Sequence, residues 1–313
     1  MTWRNHGRIG LGLAAIGRPA YITAGRSGDL GDESQRTRAY LQDRAHRLLD
    51  AAWDAGVRYF DAARSYGHAE KYLGSWLASH PGRRRDLVIG SKWGYEYVGN
   101  WKMDAEVHER KEHSIAMFER QWPQTVQALG STPDFYLIHS VTPDSPALTD
   151  THLLERLRQL ASTGIRVGLS TSGPAQGEVI DYAVAVPDSP FTVVQATWNV
   201  LEQSAAPALE QAHAAGWLVV VKEALANGRL TDRGAIDEVI GLARRDHQTT
   251  DAYAIGAALA QPWADVVLSG AVTTQQLQGN LAARAPRTLT PDVRELTTEP
   301  VGYWAGRASL AWA

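Results

Sequence analysis

The chain has 313 residues, 44% of them hydrophobic, with 31 basic against 34 acidic side chains, a formal net charge of −3 and no cysteine. So much apolar material excludes a disordered polypeptide, and the near balance of charge leaves no basic footprint for nucleic acid or an anionic membrane. The lack of thiols excludes disulfides, iron–sulfur clusters, thiolate zinc sites and a cysteine nucleophile.

The start, Met1-Thr2-Trp3-Arg4-Asn5-His6, is polar and leads into a short apolar run broken by Gly10, Gly12 and Gly17. It has neither the apolar core nor the cleavage site of a signal peptide. No stretch approaches the roughly 18 apolar residues that span a bilayer; Trp217 to Val221 is the longest candidate and stops at Lys222. These features predict a soluble, cytoplasmic protein.

Apolar, β-branched runs then recur at Ile9–Leu13, Val57–Asp61, Leu87–Lys92, Phe135–His139, Ile165–Ser170, Thr192–Ala196, Trp217–Lys222 and Asp265–Ser269. Near-continuous apolar strands are the pattern of a parallel sheet buried on both faces. Between them, Ala45–Trp53, Leu153–Leu160, Ala205–Ala214 and Ala252–Leu259 space their apolar residues three or four apart, as helices packed on a sheet do. Gly56, Gly164 and Gly216 each stand just before a strand, where a helix C-cap takes a left-handed conformation. Eight strand–helix units over this length predict an α/β protein with a (β/α)8 TIM barrel, long substrate loops and a C-terminal tail. A doubly wound sheet with a second domain competes. No linker or shift of composition interrupts residues 1–313, which favours one barrel domain. The segments Trp93–Ala116 and Thr288–Ala313 exceed simple connections, and such loops are usually functional.

The informative polar residues end predicted strands. Asp61 ends Val57-Arg58-Tyr59-Phe60-Asp61, with Tyr66 five residues on; Lys92 ends Leu87-Val88-Ile89-Gly90-Ser91-Lys92; His139 ends Phe135-Tyr136-Leu137-Ile138-His139. At the C-terminal face of a barrel such groups converge on one pocket and read as catalytic.

These residues carry a resemblance. Phe60-Asp61-Ala62-Ala63-Arg64-Ser65-Tyr66-Gly67, Ser91-Lys92-Trp93-Gly94 and Leu137-Ile138-His139-Ser140 resemble the strand ends of the aldo-keto reductases. The likeness covers nearly the whole chain, from Gly10-Leu11-Gly12 to Asn280, and implies an NAD(P)H-dependent oxidoreductase that reduces an aldehyde or ketone to an alcohol, or the reverse. It implies Asp61, Tyr66, Lys92 and His139 as the catalytic tetrad. A free phenol ionises at about pH 10, and an ammonium within hydrogen-bond reach in a low-dielectric pocket favours the phenolate, so a Tyr66 drawn toward neutral pH is expected. Asp61 would orient Lys92, His139 would polarise the carbonyl or relay the proton, and Tyr66 would protonate the developing alkoxide.

The resemblance also implies a cofactor site. Ser170 and Gln195 match positions that hold the nicotinamide carboxamide, while Thr171 stands where relatives carry asparagine. Lys222-Glu223 replaces an aromatic residue that stacks on the nicotinamide, and Leu225 follows on the same loop. Within Ser269-Gly270-Ala271-Val272-Thr273-Thr274-Gln275-Gln276-Leu277-Gln278-Gly279-Asn280, Gly270 lies in the phosphate loop and Asn280 matches an adenine contact. Gln276 stands where NADP-selective members often carry arginine. Family frequency favours NADP(H), with NAD(H) as the alternative. Trp93, Tyr95 and Trp101, directly after Lys92, are candidates for lining a cleft for a small carbonyl or alcohol substrate, bulky or aromatic.

Two patterns are weighed against this. Gly10-Leu11-Gly12-Leu13-Ala14-Ala15 matches a dinucleotide fingerprint, but Asp29 and Asp32 lie in a loop-like stretch where that motif needs an acid ending a strand, so a glycine-rich barrel strand is expected. His108-Glu109-Arg110-Lys111-Glu112 lacks the second histidine of the zinc-protease motif and reads as a polar loop or helix face, with no metal implied. Two other functions stay open: a nucleotide-binding regulatory protein of the same fold with little turnover, and a barrel isomerase or lyase using Lys92 or Lys222 as a Schiff-base amine.

Overall fold

The computed structural model describes residues 7–24, 28–286 and 295–312. The opening hexapeptide and residues 288–294 and 313 of the expected tail lie outside the described residues. Eight parallel strands close into a barrel in chain order: β1 (Ile9–Gly12), β2 (Tyr59–Asp61), β3 (Val88–Trp93), then, after a two-stranded antiparallel ribbon of β4 (Tyr95–Tyr97) and β5 (Glu109–Lys111), β6 (Phe135–Val141), β7 (Arg166–Thr171), β8 (Phe191–Thr197), β9 (Leu218–Lys222) and β10 (Val266–Ser269), which pairs back onto β1. Each of the eight expected runs supplies one barrel strand. The glycine-rich run at Gly10 is strand β1, as the barrel reading expects.

The helices wrap the outside. Among the described residues they are α1 (Arg38–Asp54), α2 (Ala69–Ser79), α3 (Ile115–Leu129), α4 (Thr151–Ser162), α5 (Gln176–Ala185), α6 (Ala206–Ala214), α7 (Asp237–Arg245), α8 (Thr250–Leu259), α9 (Thr274–Leu281) and α10 (Pro300–Ala308). Their starts follow from local chemistry: Thr37, Ser114, Asp150, Thr249 and Thr273 each accept a first-turn backbone N–H with the side chain, satisfying donors that the helix cannot. At the other end of the units, Gly56, Gly164 and Gly216 take φ of +87°, +94° and +84°, a conformation that would strain a side chain.

Two layers of apolar packing hold this together. Tyr59, Val88, Phe135, Leu137, Val193, Leu218, Val220, Val266 and Leu268 fill the barrel interior. The outward residues of the same strands pack on the helices, as β-strand alternation requires. No helix among the described residues is long and apolar enough to cross a membrane.

His108–Glu112 departs from its expected form. Glu109–Lys111 is a strand pairing with Tyr95–Tyr97, not a helix face. Its side chains alternate: Glu109 accepts from the Arg18 guanidinium at 2.8 Å on one side, and Arg110 donates to Glu96 at 2.7 Å on the other. Its histidines are engaged in packing and hydrogen bonds. His108 stacks on Trp312 at 4.1 Å between ring centres, and His113 contacts Ser145 Oγ and the His139 carbonyl at 2.6 and 2.8 Å.

Candidate active site

The C-terminal ends of the strands open into a cavity of about 430 Å³, a size suited to a small molecule. Asp61, Tyr66, His139 and Gln195 form its floor. Lys92 lies just beneath, fully buried, donating to Asp61 Oδ2 at 2.5 Å and to the Ala62 carbonyl at 2.9 Å. Its Nζ stands 4.8 Å from the centre of the Tyr66 ring. Tyr66 Oη and His139 Nε2 are 3.4 Å apart, and Ser65 Oγ is 3.3 Å from His139 Nδ1. The four residues of the expected tetrad therefore converge.

Their electrostatics differ from expectation in one respect. Burial pushes the Tyr66 phenol well above its ordinary value, and the Asp61 carboxylate adds to this. Lys92 donates to Asp61 and Ala62 and makes no hydrogen bond to Tyr66 Oη among the described contacts, and burial dominates the phenol. Tyr66 is thus a neutral phenol with a proton to give. His139 is neutral as well: burial, reinforced by Lys92, Lys222 and Arg18, drives its pKa well below that of a free imidazole. Burial also lowers Lys92, against the opposing pull of Asp61.

Of the residues expected at a cofactor, Gln195, Lys222, Glu223, Leu225, Gly270, Gln276 and Asn280 line the cavity. Gln195 Nε2 donates to Asp61 Oδ1 at 2.8 Å, leaving its buried Oε1 without a partner. An orphaned acceptor at the floor is what a carboxamide N–H would satisfy, so the residues fit a nicotinamide. Ser170 and Thr171 are fully buried behind the lining; Ser170 Oγ accepts from Ser140 N at 2.8 Å, and Thr171 Oγ1 lies 3.4 Å from Gln176 Oε1. Lys222 Nζ donates to Thr197 Oγ1 at 2.8 Å and sits 3.9 Å from Glu223. Glu223 is gripped chiefly by Arg307, whose guanidinium donates to both carboxylate oxygens at 2.6–3.0 Å. Burial brings Lys222 down to about 8. Arg307, then Lys222, hold Glu223 at about 2 against its desolvation.

The candidate substrate residues separate. Trp93 is buried against Phe118 and His113 and does not line the cavity. The cause is strand alternation: with Lys92 turned toward the barrel axis, the next residue must face α3. Trp101 donates Nε1 to the Arg36 carbonyl at 2.8 Å and packs on His68, also outside the lining. Tyr95, half-buried, sets its ring 5.0 Å from that of His139. Its phenol is pushed up to about 12, mainly by burial. The aromatic wall is formed instead by Tyr21 and Trp312, with the buried Arg18 guanidinium 5.1 and 4.9 Å from their ring centres and 5.4 Å from that of Tyr66. No spacing pattern marked Arg18 or Arg307, Glu109 entered only through the His108–Glu112 motif, and Trp312 only as part of the long segment Thr288–Ala313.

A model of the aldo/keto reductase family matches residues 9–298. The chain belongs to the aldo/keto reductase family. Over 217 residues it is 29% identical to an aldo-keto reductase of Emericella nidulans, covering 66% of this chain and 51% of that one. A shorter match, 46% over 59 residues, covers 18% of this chain and 17% of a D-threo-aldose 1-dehydrogenase from Pseudomonas sp. The chain thus spans about half or less of the length of these curated relatives. Among solved structures, an aldo-keto reductase of Bacillus halodurans in its holo form superposes with a TM-score of 0.68 at 19% identity, over 94% of this chain and 93% of that one. A putative aldo-keto reductase of Pseudomonas aeruginosa gives 0.64 at 23%, over 89% and 90%. At these identities the structural likeness speaks for the barrel fold, and the family model for an aldo/keto reductase on it.

Proposed function

We propose that the protein is an oxidoreductase that interconverts a small carbonyl compound and its alcohol, using a nicotinamide nucleotide and Tyr66 as the proton donor. The observation that carries this reading is the approach of Tyr66 Oη to His139 Nε2 at 3.4 Å in the cavity, beside the buried Lys92–Asp61 pair, with burial favouring the neutral form of both rings. Bound there, the reduced nucleotide supplies a hydride, and that chemistry is its own. Gln195 would hold its carboxamide end, and Gly270, Gln276 and Asn280 its adenosine end.

This chain's residues supply the rest. The carbonyl oxygen takes its place between Tyr66 Oη and His139 Nε2, polarised by both. As hydride reaches carbon, the developing alkoxide takes the proton of Tyr66. The phenolate left behind lies against the Lys92 ammonium, which Asp61 and the Ala62 carbonyl hold in position. The burial of Lys92 outside the cavity lining speaks against a Schiff-base role for it; Lys222 does line the cavity.

Tyr66→Phe keeps the ring packing and removes the proton. Nucleotide binding, read by fluorescence quenching, should persist, while turnover with an aldehyde panel falls by about 10²–10⁴-fold. Wild-type turnover in that variant would remove Tyr66 from the acid role. A second reading, a nucleotide-binding regulatory protein, draws on a 34% match over 98 residues to a probable voltage-gated potassium channel subunit beta from Oryza sativa. Tight nucleotide binding without turnover in the wild-type protein would establish that reading instead.

A further inference from the structure

His113 is a buried titratable group that the proposed chemistry does not use. It stands between the ribbon strand β5 and α3 and is 5% exposed. Its Nε2 lies 2.8 Å from the His139 carbonyl oxygen and its Nδ1 2.6 Å from Ser145 Oγ. A carbonyl only accepts, so Nε2 carries the proton, and Nδ1 then accepts from the Ser145 hydroxyl. Ser145 Oγ in turn accepts from Ala147 N at 3.3 Å. Both ring nitrogens are thus satisfied in one neutral tautomer, and burial, which brings the imidazole down to about 4, keeps it neutral. The seat of the ring is equally defined. Gly94 takes φ of +98°, and a Cβ there would stand 2.5 Å from His113 Cδ2, so the ring fills the space that a side chain at 94 would need. The Tyr95 ring meets those of both His113 and His139, at 6.1 and 5.0 Å between centres.

What this ring holds is an irregular stretch of β6. The strand pairs with β7 at Ile138 and again at Val141, with a register shift between them that leaves His139 and Ser140 outside the ladder. Ser140 takes φ of +54°, a left-handed conformation that strains a residue with a side chain. Such a bulge re-aims a side chain, and it persists only where its surroundings hold it. Two side chains do so, one at each polar group of the His139–Ser140 peptide: His113 donates to its carbonyl, and Ser170 Oγ accepts from its N–H at 2.8 Å. The side chain so aimed is that of His139, whose Nε2 stands 3.4 Å from Tyr66 Oη. We propose that His113 is a positioning residue for the reaction, fixing the bulge through the His139 carbonyl and so holding the His139 ring at Tyr66. The proposal rests on the reading of Tyr66 and His139 as the pair that meets the substrate carbonyl.

Two variants of the full-length protein separate this role from packing. His113→Leu fills the seat without a donor, whereas His113→Gln offers an amide N–H to the same carbonyl. With an aldehyde panel, His113→Leu should lower kcat about 10- to 100-fold, as a small misplacement of a catalytic group does. Its affinity for NADH and NADPH, read by fluorescence quenching, should not change, because Ser170 and the cavity lining are untouched. His113→Gln should recover most of the lost kcat. In NMR spectra of the unliganded proteins carrying isotope-labelled histidine, the His139 ring signals, identified by their loss in His139→Gln, should move in His113→Leu and return in His113→Gln. If a thermal melt shows His113→Leu unfolded at the assay temperature, Ser145→Ala takes its place: it removes the partner that fixes the His113 tautomer and should shift kcat and the His139 signals in the same direction. Wild-type kcat in the variant that lacks the donor or its support, or a loss of kcat with the His139 signals unmoved, overturns the proposal and leaves the proposed reaction standing. Equal losses in His113→Leu and His113→Gln also overturn it, since packing alone would give that result. No turnover by the wild-type protein overturns the reading of the reaction, and the proposal with it.

Discussion

At the scale of single residues, the site turns on where one proton resides. A buried phenol without a hydrogen bond from Lys92 keeps its proton at neutral pH, which suits reduction, where Tyr66 must donate. Oxidation needs the phenolate first. Its kcat/KM should therefore climb about tenfold per pH unit from neutral pH upward, while reduction stays flat across neutral pH. Lys222 loses its own proton at about 8 and faces the same cavity, so the profiles are to be repeated in Lys222→Met, which removes that step and leaves the Tyr66 slope. An oxidation rate already level at pH 7 would show a phenol far more acidic than its burial allows. The sequence pointed to Asp61, Tyr66, Lys92 and His139 as a group at or near the C-terminal ends of β2, β3 and β6, because apolar runs closing on titratable groups are unusual, although β3 runs one residue past Lys92 and β6 two past His139. It did not reveal this protonation balance, which depends on which acceptors lie within 3 Å of Lys92 Nζ.

At the scale of elements, legibility follows from how each is buried. The barrel strands are covered on both faces, so their apolar runs stand out. The β4–β5 ribbon is half-exposed, with charge alternating with aromatics in Tyr95-Glu96-Tyr97 and three charged residues in Glu109-Arg110-Lys111, a composition that a polar loop shares. Trp93 was misplaced for a related reason: a loop reading ignores that β3 continues through it, and continuation turns it away from Lys92. The ribbon and the tail meet over the cavity. Trp312 stacks on His108, contacts Tyr21 edge-on at 6.4 Å between ring centres and covers the Arg18 guanidinium. One side chain thus ties the ribbon, the loop after β1 and the tail into a common wall. Stacking and cation–π contacts of this kind contribute about 1 kcal/mol each. Trp312→Ala should therefore raise KM for the carbonyl substrate about tenfold, with kcat and the unliganded Tm little changed because the residue is outside the core. Steady-state kinetics and a thermal melt check this, and a large drop in Tm with unchanged KM would make the wall structural only.

At the scale of the molecule, α10 and β9 are joined by a charge cluster that no periodicity predicts, since its members are 84 residues apart. Glu223 lies between Arg307 and Lys222 with its side chain 8% exposed. In the folded protein its carboxyl ionises at about 2, against an ordinary value of 4.5. Between these values the unfolded chain binds a proton that the native one does not, so the stabilisation is complete above pH 4.5 and is lost as the pH falls toward 2. A shift of this size corresponds to about 3 kcal/mol. Glu223→Gln keeps the shape and leaves Arg307 and Lys222 facing each other without their carboxylate. At pH 7 it should cost about 3–5 kcal/mol, as removing one member of a buried ion pair does. Its stability should also fall less steeply than that of the wild-type protein between pH 4.5 and 2, because the group that titrates there is gone. Urea unfolding of both proteins across that range measures the two slopes. Parallel slopes would mean that the cluster does not bear on acid stability and that α10 is held by the packing of Tyr303 and Trp304 alone.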